Sequence, residues 1–217
     1  MQAAAEVIEM LIFDLDGTLI DSNRVWEDVD NEFLSRRGLA PTQEYTEFVV
    51  HSIFPVAAQF TKDLFGLDET PQEIMDEWMA LARDAYSFHV PLKPGVMEYL
   101  EKCRSEGQKM ALFSASMPEL GRAAVERLGI SQYFTALIFA SELGIEKRFP
   151  DSFKKALEIL GESAGDCTMF DDSPRNCASA KAAGLTAVGV YDPLFDDVQE
   201  ELKANSHQHI HSFEELL

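Results

Sequence analysis

The chain has 217 residues, 46% of them hydrophobic, and a formal net charge of -20. That length and apolar content suffice for one sizeable core, alone or with an insertion. The charge would repel nucleic-acid phosphates and anionic lipid, so neither is an expected partner, although a local positive site can still hold a small anion.

The opening MQAAAEVIEM lacks the basic start and apolar stretch of a secretion signal. No apolar run approaches the roughly 20 residues that span a bilayer. Cys103, Cys167 and Cys177 show no metal-ligand spacing and read as reduced packing residues of a cytoplasmic protein.

Along the chain, VIEMLIF (7–13) reads as a buried strand that runs straight into Asp14-Leu15-Asp16-Gly17-Thr18. Residues 22–92 hold no strand pattern. Val25, Val29 and Phe33 mark one face of a helix ending near Gly38. Thr70-Pro71-Gln72-Glu73 spells a capping box with proline at the first helical position. The stripe Ile74, Trp78, Leu81, Ala85 follows it, and Trp26, Phe33, Trp78 and Phe88 read as the core of this helical stretch or, for one or two of them, as residues that line the cleft and read the substrate.

From residue 94 onward helices and strands alternate. PGVMEYLEKCRSEG (94–107) starts with proline and stops at glycine, before the strand KMALFSA (109–115). A helix over 117–129 leads to ALIFA (136–140), one over 152–161 to CTMFDD (167–172), and one over 173–184 to TAVGVY (186–191). In 173–184, Ser173-Pro174 reads as N-cap and first helical residue. His207, His209 and His211 alternate; they read as a polar edge strand rather than a metal site. Strands this apolar are those buried on both faces of a parallel sheet. The expected fold is α/β: a Rossmann-like, doubly wound core of 1–21 and 93–217, with an inserted all-α domain of 22–92. Hinges fall at Asp21–Asn23 and Pro91–Gly95.

In such a sheet, ligands bind beyond the C-terminal strand ends. There stand Asp14 and Asp16, then Ser114-Ala115-Ser116, then Lys147 downstream of the third strand, then Asp171-Asp172. Burying carboxylates together is costly unless something compensates. Carboxylates with one lysine and one hydroxyl suggest a hard divalent cation holding a phosphate.

These four motifs, in this order and strand context, resemble those of the haloacid dehalogenase-like superfamily, and the helical insertion resembles its α-helical cap. The resemblance covers nearly the whole chain. It implies Asp14 as nucleophile, forming an aspartyl phosphate, and Asp16 as general acid and then base, its carbonyl also on magnesium. It implies Ser114 and the Ala115 amide on a phosphate oxygen and Lys147 neutralising charge. The metal set it implies for Mg2+ is Asp14, Asp16, Asp171 and Asp172, with Asp171 acting directly, through water or by supporting a ligand. An aspartate at residue 16 favours phosphoryl over carbon–halogen chemistry.

The chain departs from the family pattern at four places. Arg148 follows Lys147 where proline is usual, an extra cation for a second anionic group of the substrate. Asn176 stands where glycine is common. Trp26 stands where the sugar-phosphate mutases carry histidine, and His51-Ser52-Ile53-Phe54-Pro55 contains no arginine. The resulting expectation is a magnesium-dependent phosphatase of a small phosphorylated metabolite, working as a monomer or homodimer, with a cap that closes over the cleft. The alternatives are a mutase of the beta-phosphoglucomutase type and a non-catalytic binding or regulatory protein.

Overall fold

The computed structural model describes residues 10–49, 52 and 54–217. Residues 7–9 of the first expected strand, and His51 and Ile53, lie outside them. The chain divides into two compact units, a sheet unit holding the chain up to Asn23 and again Val90–Leu217, and a helical unit, Arg24–His89.

The sheet unit contains six parallel strands: β1 Met10–Phe13, β2 Lys109–Ser114, β3 Leu137–Phe139, β4 Cys167–Asp171, β5 Thr186–Val190 and β6 Gln208–Ile210. Their order is β3-β2-β1-β4-β5-β6. This is the doubly wound order, whose direction of travel reverses between β1 and β4; a crevice opens at the strand ends there. The register Phe13↔Phe170 puts the ends of those two strands side by side. The edge strand β6 carries His209, with His207 and His211 on either side of it.

Alternation along β1 sends Met10 and Ile12 to one face and Leu11 and Phe13 to the other. Met10 and Ile12 join a buried cluster with Phe113, Phe153, Met169 and Leu202. Phe13, wholly buried, stacks on Phe170 at 4.8 Å between centroids and meets Tyr99 and Phe213 edge-on or tilted. Both faces are therefore covered, which is why the strands are apolar without a break.

The helical unit contains α1 Val25–Ser35, α2 Gln43–Val49, α3 Phe54–Phe65 and α4 Pro71–Asp84, the last running into a π turn at Ala85–His89. The capping box is present: Thr70 accepts from the Glu73 amide while Glu73 accepts from the Thr70 amide. The buried face of α4 is Ile74, Trp78 and Ala82, not Leu81 and Ala85, because packing follows every fourth residue here. Phe33 and Trp78 are core and touch edge-on at 5.7 Å. Trp26 is half-buried against Phe54. Phe88 is not core: it lies in the π turn, 68% exposed. Arg37 ties α1 to α4, pairing with Glu77 at 2.6 Å and lying 3.7 Å over the Phe33 ring.

The fully buried Tyr45 donates its hydroxyl to Asp30 Oδ1 at 2.6 Å. Burial pushes the Asp30 carboxyl up to about 6, the Tyr45 hydrogen bond pulling the other way. The folded unit thus favours the neutral carboxyl, a contribution complete below about pH 4 and lost as pH rises through 6. Asp30→Asn keeps an acceptor for Tyr45 without the charge. Above pH 7 it is expected to stabilise by about 1–2 kcal/mol, and at pH 4 by next to nothing. Urea unfolding at the two pH values checks this; a destabilised variant at pH 8 would contradict it.

Around the sheet lie α5 Val96–Ser105, α6 Pro118–Arg127, α7 Ala140–Leu143, α8 Pro150–Leu160, α9 Pro174–Ala182 and α10 Gln199–Asn205. Ser173 caps α9 with Pro174 at its first position. The three cysteines are buried thiols. Among the described residues, no helix is long and apolar enough to cross a membrane.

Candidate active site

The loop after β1 positions the first two aspartates. The Asp14 amide donates to Phe170 O (2.9 Å), continuing the strand pairing by one residue. The chain then folds back sharply: the amides of Leu19 and Ile20 both donate to Leu15 O. Gly17 has φ of +72°, and a Cβ there would run into the side chains of Asn23 and Asp172. Glycine after Asp16 is thus required by conformation and by space. Thr18, fully buried, donates to Asp172 Oδ1 (3.4 Å), and Ser22 Oγ donates to Asp16 Oδ1 (2.6 Å).

At the neighbouring strand ends, Ser114 is fully buried and its Oγ accepts from the Ser116 amide (2.9 Å). Lys147, only 2% exposed, reaches between two strand ends. Its Nζ pairs with Asp14 Oδ1 and, at 2.7 Å, with Asp171 Oδ2. The Ser152 hydroxyl holds the Lys147 carbonyl (3.1 Å). Asp171 Oδ1 accepts from the Ser173 amide (2.9 Å) and Asn176 Nδ2 (3.1 Å).

Asp14, Asp171 and Asp172 can each offer a carboxylate oxygen within 4.8 Å of the others, and all three are buried. Three hard oxygen donors this close, with a buried ammonium against two of them, carry excess negative charge. The donor set fits a small divalent cation. Asp16 is not in this group.

A sequence profile for haloacid dehalogenase-like hydrolases matches residues 8–184, which span the β1 loop, the helical unit and every strand end just described. The chain belongs to the haloacid dehalogenase-like hydrolases. The phosphoglycolate phosphatase of Neisseria meningitidis is similar at 26% identity over 195 residues, covering 88% of this chain and 83% of that protein. Hexitol phosphatase B of Escherichia coli is 26% identical over 184 residues, covering 84% and 83%. The crystal structure of CbbY from Rhodobacter sphaeroides in complex with phosphate shares the fold, with a TM-score of 0.76 at 20% identity over 96% of each chain.

The electrostatics of this cluster follow from its burial. Burial raises the Asp14 carboxyl well above the usual carboxylate range; Asp171, Asp172 and Asp16 push the same way and Lys147 opposes them. Burial, then Asp171, raise Asp172 to about 7, against the pull of the Asn23 hydrogen bond. For Lys147, burial disfavours the charge, but Asp14 and Asp171 outweigh it and raise the ammonium's pKa. A bound cation would reverse the like-charge push on the aspartates.

Ala115, Lys147 and Arg148 line one cleft of about 470 Å³, together with Ser141, Ile145 and Asn176. The Arg148 guanidinium is paired with Glu146 (2.7 Å) and not with the three carboxylates. Sequence reasoning missed Ser22, Asn23 and Lys93. Lys93 Nζ donates to Gly17 O (2.6 Å), Tyr191 O (2.7 Å) and Asp192 Oδ2 (3.0 Å), tying the β1 loop to the end of β5. Its partners are 76 to 99 residues away in sequence, so no local pattern marks it. Asn176, flagged as a departure, buttresses Asp171.

Proposed function

We propose that the chain is a magnesium-dependent phosphatase of a small soluble phosphate monoester, acting through an aspartyl phosphate on Asp14. The observation that carries this is the group of three buried carboxylates at the β1/β4 crevice, two of them paired with Lys147, in a chain of this hydrolase family. The phosphatase names of two relatives support the same reading.

Asp14, Asp171 and Asp172, with the Asp16 carbonyl, would hold Mg2+, which supplies charge neutralisation for phosphoryl transfer. In the first step an Asp14 carboxylate oxygen bonds to phosphorus while the ester P–O bond breaks. The departing oxygen takes a proton from Asp16. In the second, water attacks phosphorus and gives its proton to Asp16; the bond to Asp14 breaks, and inorganic phosphate leaves. Splitting one displacement into two lowers each barrier. Ser114 accepts a hydrogen bond from the Ser116 amide, which leaves its own proton for a phosphoryl oxygen. The Ala115 amide and Lys147 would hold the remaining charge, since phosphoryl transfer needs mainly positioning and electrostatic stabilisation. Arg148, on the same cleft, would meet a second anionic group by exchanging its Glu146 partner.

The test is phosphate release from a panel of small phosphomonoesters, with magnesium and with EDTA. Release that requires magnesium and favours one compound supports the reading. Release undiminished in EDTA would overturn the metal's part, and isomer formation without phosphate release would mark a mutase instead.

A further inference from the structure

Asp172 is the one of the three carboxylates that Lys147 does not touch. Its Oδ2 accepts from Asn23 Nδ2 at 2.8 Å, while Thr18 makes a longer bond of 3.4 Å to Oδ1. The Asn23 contact exists because residue 17 has no side chain: a Cβ on Gly17 would occupy the space of both the Asn23 amide and the Asp172 carboxylate. Asn23 is also the last residue of the sheet unit before the chain enters the helical unit, where α1 begins two residues later.

We propose that Asn23 is a positioning residue for Asp172, fixing the carboxylate's orientation toward the shared metal position and tying that position to the chain's exit into the helical unit. This rests on the metal-dependent reading above. A carboxylate with two acceptor oxygens can take the amide proton on one lone pair and still offer others to a cation. Partners that orient metal ligands typically change metal affinity 10- to 100-fold when removed. The linkage is reciprocal: if Asn23 engagement favours metal binding, bound metal favours Asn23 engagement, and so restrains residues 21–25.

The experiment titrates Mn2+ into substrate-free protein, read by the signal of the free ion in electron paramagnetic resonance. It uses wild type, Asn23→Ala and Asn23→Leu, the leucine filling the amide's space without its donor. Circular dichroism confirms that each is folded. Both variants are expected to bind Mn2+ about 10-fold more weakly than wild type. Hydrogen exchange of the peptide spanning 21–25 should slow with metal in wild type and not in Asn23→Leu. Wild-type binding matched by both variants would overturn the positioning role while leaving the metal-dependent reading intact. Equal metal-induced protection in wild type and Asn23→Leu would overturn the tie to the chain's exit. No binding to wild type would overturn the metal-dependent reading itself, and the role of Asn23 with it.

Discussion

Asp14→Asn is expected to lower turnover on the order of 10⁴-fold or more, with the fold intact. An amide of the same shape cannot form the bond to phosphorus, so no remaining group substitutes for it. The structural consequence is small for an electrostatic reason. The change removes one negative charge from a buried group of three, which relieves repulsion, and Lys147 keeps Asp171 as its partner. The melting temperature should therefore move by only a few degrees. Steady-state phosphate release and thermal unfolding check the two halves separately. Residual activity above a per cent in a folded variant would remove Asp14 from the nucleophile's place.

Lys147→Met carries the second large effect, and it falls on stability. The lysine is buried between Asp14 and Asp171, and removing one partner from a buried ionic group typically costs about 3–5 kcal/mol. Methionine retains the packing near Phe113, so the loss reports on charge. The sign of its pH dependence is fixed by the aspartates. Asp14 and Asp172 have folded pKa values raised above their unfolded ones, Asp172 to about 7. The neutral forms favour the fold below about pH 4, and the Asp172 contribution is lost as pH rises through about 7. Without metal, the wild type should lose stability between pH 5 and pH 8, and Lys147→Met should lose more. Magnesium should recover part of the deficit in proportion to RT ln(1 + [L]/Kd). Chemical unfolding at pH 5 and 8, with and without magnesium, reads all of this. A deficit indifferent to pH and metal would mean that Lys147 contributes packing alone.

The legible parts of this chain were those with local signatures. Strands buried on both faces leave unbroken apolar runs, so five of the six strands stood out, and the polar edge strand β6 stood out by its alternation. The residues at the strand ends followed from topology, since every strand of a parallel sheet delivers its C-terminus to one edge. In the helical unit, α1 and α4 were legible from large apolar residues at helical spacing. Helix α3 was not: its buried positions are Ala57, Ala58 and Thr61, too small and too polar to mark a stripe. Helix α2 buries only Tyr45. Phe88 misled because aromatic character predicts burial only on average.

At the site, residue types announced the carboxylates but not their supports. Asn23 and Asp172 are separated by 149 positions, and nothing in either neighbourhood singles out an asparagine that will donate to a carboxylate. Lys93 looks like an ordinary charged residue before Pro94-Gly95, yet it bonds two carbonyls and a buried carboxylate. The extra cation at residue 148 was visible, but its neutralisation by Glu146 depends on rotamers that spacing does not specify.

The central claim is the covalent bond between phosphorus and Asp14, and chemical trapping tests it most directly. The protein is mixed with magnesium and its best phosphomonoester, quenched in acid during turnover, reduced with borohydride and digested for mass spectrometry. An aspartyl phosphate is reduced to homoserine, so the account predicts homoserine at residue 14 only when substrate is present. Phosphate release with an unmodified residue 14, or homoserine at another aspartate, would contradict it.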